Sequence, residues 1–133
     1  WSFLSIRHIA VADSGLATSR RLHSGAGGAA IWTSFNLTAV RQLIDELRRT
    51  GFEEVLHFAS VGGWSGPHLD PELSAEDWYQ TFKDNVGELF DGIDWDLEGS
   101  EPMTSEINYF TLDCLYTMGE ISRLFKEGKV AVS

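Results

Sequence analysis

Cysteine is almost missing from this chain. Cys114 is the single one among 133 residues, so no intrachain disulfide can staple the fold. Its place on the apolar face of a predicted helix gives it the character of an inert core thiol. No apolar run approaches the roughly 18 residues that a membrane span requires. No signal-peptide pattern stands at the N-terminus, which leaves secretion and compartment open. Basic residues are scarce: ten Lys and Arg face twenty Asp and Glu, a net charge of −10. Such a surface repels phosphate backbones and excludes nucleic acid as a partner. It tolerates a neutral polysaccharide without selecting one. His8, His23, His57 and His68 lack ligand spacing, and the aspartates do not follow the pattern of a calcium loop. Neither a metal nor a cofactor is implied. The cluster Gly25-Ala-Gly-Gly28 is followed by no Gly-Lys-Ser/Thr, so it reads as a flexible loop rather than a phosphate cradle.

What is present is globular composition, 43% hydrophobic and 23% charged, sufficient for one core and too small for two ordinary domains. Residues 5–12 read as a strand ended by Asp13-Ser-Gly. A Gly-, Ser- and Ala-rich loop runs to about residue 30, and Ala29 to Phe35 adds a short extended piece. Val40, Leu43, Ile44 and Leu47 fall at i, i+3, i+4 and i+7, which predicts an amphipathic helix over 38–50 with Gly51 at its C′ position. Asn36-Leu-Thr38 is a formal glycosylation sequon, but at a helix start it reads better as an N-cap. A strand is expected over 54–61, then a glycine-paired loop from Gly62 to Pro67. Ser74-Ala-Glu-Asp77 resembles a capping box and opens a helix with Trp78, Phe82 and Val86 on one face. A further strand over about 89–98 is broken by Glu101-Pro102. Thr104 or Ser105 then caps a long helix whose buried stripe is Ile107, Phe110, Cys114, Met118, Ile121 and Phe125; Gly128 ends it, and 129–133 begins another strand. Strand–helix alternation of this kind implies parallel strands and an α/β architecture. Pattern alone does not separate a closed barrel from an open doubly wound sheet.

The chain is organised around Asp91-Gly-Ile-Asp-Trp-Asp-Leu-Glu98. Ile93, Trp95 and Leu97 alternate with Asp94, Asp96 and Glu98, and period two puts the three acids on one strand face. A solvated face usually mixes residue types, whereas three stacked acids repel one another. Crowding of this kind raises one carboxyl toward the working range of a general acid.

Asp91-Gly92-Ile-Asp94-Trp-Asp96-Leu-Glu98 resembles the D-G-x-D-x-D-x-E signature of glycoside hydrolase family 18, the chitinase family, with all five fixed positions intact. Upstream, Ser60-Val-Gly62-Gly63 is similar to that family's S-x-G-G. The resemblance implies a TIM barrel, and it assigns the four main strands to positions two through five. A whole barrel needs roughly 250 residues. The absence of an initiator Met at Trp1 and the strand-like 129–133 agree with an incomplete barrel, a partial catalytic domain spanning 1–133 and truncated at both ends. The resemblance further implies hydrolysis of β-1,4-linked N-acetylglucosamine polymers by a substrate-assisted retaining route. Glu98 is then the general acid, Asp96 accepts the acetamido N–H, and Asp94 shares a proton with Asp96. Asp91 and Gly92 take structural roles at the strand entry. Ser60 offers a hydroxyl to Asp94 or Asp96 beside Gly62 and Gly63, and Trp64 either stacks on a sugar ring or packs under its own loop. An endo-β-N-acetylglucosaminidase acting on glycoprotein glycans shares the motif, and a chitin-binding lectin shares the barrel; such lectins usually lose the acid, which is present here. The family favours an extracellular setting.

Overall fold

The computed structural model describes residues 4–8, 20–24, 29–33 and 35–133. The strands are β1 (Leu4–His8), β2 (Arg20–Ser24), β3 (Ala29–Thr33), β4 (Phe58–Gly63), β5 (Gly92–Leu97) and β6 (Ala131–Val132). The helices are α1 (Leu37–Arg49), α2 (Ala75–Val86) and α3 (Leu112–Glu127). One six-stranded sheet has the order β2-β3-β1-β4-β5-β6. β1, β4, β5 and β6 pair in parallel, and β2 and β3 extend the sheet as antiparallel neighbours. The chain is therefore an α/β domain with a mixed sheet. Residues 9–12, the turn at Asp13, and the glycine cluster 25–28 lie outside the described residues.

Local chemistry explains most element ends. Asn36 Oδ1 accepts from the Thr38 and Ala39 amides at 3.1 and 3.4 Å and so caps α1; Gly51, at φ +97°, carries the chain away from its C-terminus. Ser74 Oγ accepts from the Asp77 amide at 3.1 Å and donates to the Asp77 carboxylate at 2.8 Å, which starts α2. Trp78, Phe82 and Val86 of α2 are fully buried, as their spacing requires. With Phe125 of α3 they form an aromatic core: the Trp78 and Phe82 rings stack at 5.9 Å, and Phe82 meets Phe125 edge-on at 5.0 Å. Trp95 joins from the sheet, 5.7 Å from Trp78, while its indole N–H donates to Ser122 Oγ of α3 at 3.0 Å. Helices α2 and α3 thus share the face of β5 that carries Trp95.

Four expectations are corrected. The stretch before residue 30, expected as loop, contains strand β2; Arg20-Arg-Leu-His-Ser24 is polar and its ladder to β3 is irregular, so it carries no clean alternation. The predicted strand over 54–61 begins only at Phe58 and runs on through the glycines to Gly63, because residues 51–55 form turns. The strand foreseen over 89–98 is confined to Gly92–Leu97. The long helix does not start at Thr104 or Ser105. Ser105 precedes a single 3-10 turn, Glu106–Asn108, and makes no side-chain cap bond. Thr111 caps α3 instead, its hydroxyl accepting from the Cys114 amide at 3.1 Å. Phe110 accordingly leaves the buried stripe and is 43% exposed.

Candidate functional site

Parallel pairing of β4 with β5 sets the site. Ser60 lies opposite Asp94 and Gly62 opposite Asp96, so these residues share one sheet level each. The alternation puts Asp94, Asp96 and Glu98 on the face opposite Ile93 and Trp95, away from α2 and α3. All three acids are half-buried, and Glu98 stands just past the C-terminal end of β5.

Hydroxyls grip Asp94 from both sides. Ser60 Oγ donates to Asp94 Oδ2 at 2.7 Å, and Ser133 Oγ donates to Oδ1 at 2.6 Å. The Glu98 carboxyl titrates above its ordinary value of 4.5, first because burial penalises its charged form, then through repulsion by Asp96 and a hydrogen bond with it.

Glycines bring the backbones close. Gly62 and Gly63 sit at φ +108° and +89°, a region side chains rarely enter. A Cβ on Gly62 would also stand 2.6 Å from Leu97 Cδ2 and 2.7 Å from the Asp96 carbonyl oxygen. At the strand's entry, a Cβ on Gly92 would meet the Ala131 carbonyl oxygen and Phe58 Cε1. Beside it, Asp91 accepts from the His57 amide at 2.9 Å and lies 3.7 Å from the Arg48 guanidinium. Asp91 and Gly92 are thus anchors at the far end of the strand from Glu98.

The loops above the acids are tied to one another. The Ser65 amide donates to the Gly99 carbonyl at 2.9 Å. His68 Nε2 stands 3.2 Å from the Glu98 carbonyl oxygen, while its ring stacks on Phe110 with centroids 4.5 Å apart. Trp64 projects from the first loop with 59% of its surface exposed; it does not pack under its own loop. Asn108 clasps the second loop: its Oδ1 accepts from the Ser100 amide at 2.7 Å, and its Nδ2 donates to the Ser100 and Pro102 carbonyls. His68, Asn108 and Ser133 were not singled out by sequence. Each acts on a residue eight or more positions away, and none belongs to a recognisable motif. Among the described residues, no group of His, Cys, Asp and Glu is arranged to hold a metal ion.

Against this geometry, no protein-family model, no curated protein and no solved structure matches the chain.

Proposed function

We propose that the protein is a glycosidase that hydrolyses β-1,4-linked N-acetylglucosamine polymers through a substrate-assisted retaining mechanism, on an incomplete (β/α)8 barrel of the chitinase type. The observation that carries the reading is the row of three half-buried acids that runs along β5 to its C-terminal end, with the outermost carboxyl raised. In α/β barrels that end of the sheet is where chemistry is placed. The parallel run β1-β4-β5-β6 supports assignment to barrel positions two to five.

In this reading Glu98 protonates the glycosidic oxygen. Burial and the neighbouring Asp96 favour its neutral, proton-carrying form, as a general acid requires. The sugar's own 2-acetamido oxygen attacks the anomeric carbon as the leaving group departs, giving an oxazolinium ion, and water opens it with Glu98 now acting as base. Asp96 accepts the acetamido N–H and so aims its carbonyl oxygen. Asp94, held by Ser60, orients the acids from below. Gly62 and Gly63 leave the backbone open beside them, and Trp64 offers its exposed ring as a platform for a pyranose face. The intact Glu98 favours an enzyme over a carbohydrate-binding relative on the same fold.

The test is Glu98→Gln in a protein that carries the complete barrel. Hydrolysis of a chromogenic chitobioside is expected to fall at least a thousandfold, on the order of what loss of a general acid removes, while oligosaccharide binding persists. Undiminished turnover would remove Glu98 from the mechanism. A thiazoline analogue of the oxazolinium ion is expected to inhibit competitively, and indifference to it would exclude the substrate-assisted route. The family's acetamido-binding tyrosine belongs to a later barrel strand, so these 133 residues alone are expected to release no chromophore.

A further inference from the structure

The sequon Asn36-Leu37-Thr38 takes no part in the proposed chemistry, yet it stands on open surface. Asparagine occurs three times in the chain, and only Asn36 has a hydroxyl residue two positions on. The other two are half-buried, with their side-chain nitrogens engaged. Asn85 Nδ2 donates to the Thr81 carbonyl at 2.8 Å, and Asn108 Nδ2 donates to the Ser100 and Pro102 carbonyls. Asn36 and Thr38 are both exposed. The α1 cap uses the oxygen of Asn36 alone, because two backbone amides, those of Thr38 and Ala39, donate to it. Among the described residues nothing is bonded to Asn36 Nδ2. Capping a helix and accepting a sugar therefore draw on different atoms of the same side chain.

We propose that Asn36 is an N-glycosylation site; the acceptor is the side-chain nitrogen, not the helix end. The co-reactant is an oligosaccharide carried on a lipid diphosphate and delivered by a transferase. Nδ2 attacks C1 of the first sugar. The Nδ2–C1 bond forms, the C1–O bond to the diphosphate breaks, and the lipid diphosphate leaves with the electron pair. Nδ2 gives one of its two protons to a base of the transferase and keeps the other; nothing is oxidised or reduced. Oδ1 is untouched, so the cap survives. The bond that draws Thr38 against Asn36 spans two residues, a turn the chain forms locally before distant packing exists. The folded surface also leaves room for the product. Thr38, Ala39, Arg41 and Gln42 are exposed, while α1 buries Ile44. A glycan here stays clear of the acids. The ring of Phe35, next to Asn36, meets Phe90 edge-on at 6.2 Å, near the entry end of β5. About 20 Å of strand separates that end from Glu98. The proposal is independent of the glycosidase reading.

Trypsin releases Asn36 in a peptide from Leu22 to Arg41 that holds no other asparagine. In protein purified from the organism that makes it, mass spectrometry is expected to find this peptide carrying a glycan. Peptide N-glycosidase in heavy-oxygen water is expected to convert Asn36 to labelled aspartate. Unmodified Asn36 in every molecule would overturn the proposal. Variants of the full chain, passed through a eukaryotic secretory pathway, localise the acceptor. Asn36→Asp caps a helix as well as asparagine does but has no amide nitrogen, so it is expected to fold and to lose the whole glycan increment. Thr38→Ser is expected to keep the increment and Thr38→Val to lose it. A glycan that persists on Asn36→Asp would equally overturn the assignment.

Discussion

Glu98 concentrates the site's electrostatic cost in one carboxyl. Its native titration lies above 4.5, so between that value and the native midpoint the folded chain binds more protons than the unfolded one. Stability then falls as pH rises through that window. Glu98→Gln removes the ionising group, and its melting temperature is expected to exceed that of the wild type at pH 7. The difference is expected to vanish below about pH 4, beneath the ordinary carboxyl range; a constant gap across pH would contradict the assignment. That Asp94, Asp96 and Glu98 share a face was legible from strict alternation with Ile93, Trp95 and Leu97, because a strand leaves no other arrangement. Ser60 was placed beside Asp94 or Asp96 by its motif. Ser133 was not legible: it is brought in by pairing across 39 positions, and a serine is too common for its spacing to give it away.

The elements that carry the acids are shaped by residues with little or no side chain. Gly62→Ala combines a forced positive φ with a clash against Leu97 and the Asp96 carbonyl. Denaturant unfolding is expected to show a loss of about 1–3 kcal/mol, with the larger damage in β4–β5 pairing. Asn108→Ala breaks three bonds to the Ser100–Pro102 backbone and is expected to cost about 1–3 kcal/mol, since buried partners such as Ser100 lose their pairing. Asn108 also explains why sequence misplaced the start of α3. The apolar spacing from Ile107 onward fits a helix, but Asn108's amide is committed to the loop and the chain turns extended at Tyr109. Caps with local partners, Asn36 and Ser74, were legible because their donors lie within three residues. Strand β2 was not, since the polar run Arg20-Arg-Leu-His-Ser24 carries no periodic signal, whereas β3 was foreseen in the extended piece from Ala29.

Helix α3 is apolar on two sides. Cys114, Ile121 and Phe125 are buried, yet Leu112, Leu115 and Tyr116 form a second stripe at i, i+3 and i+4 that faces solvent, Leu112 at 84%. Self-association is expected to follow concentration in sedimentation velocity, and Leu115→Glu is expected to reduce it; identical profiles for the two proteins would show that the stripe is inert. At the opposite end of β5 from the chemistry, Asp91 fastens the strand to the His57 amide and Arg48. About 20 Å of extended chain separates that fastening from Glu98. On the proposed reading, retooling the rim for a different sugar leaves the foundation untouched: a designer or a lineage can revise loop residues 103–107 repeatedly while Glu98 and Asn108 keep their places and Asp91, Gly92 and Arg48 go on registering the strand.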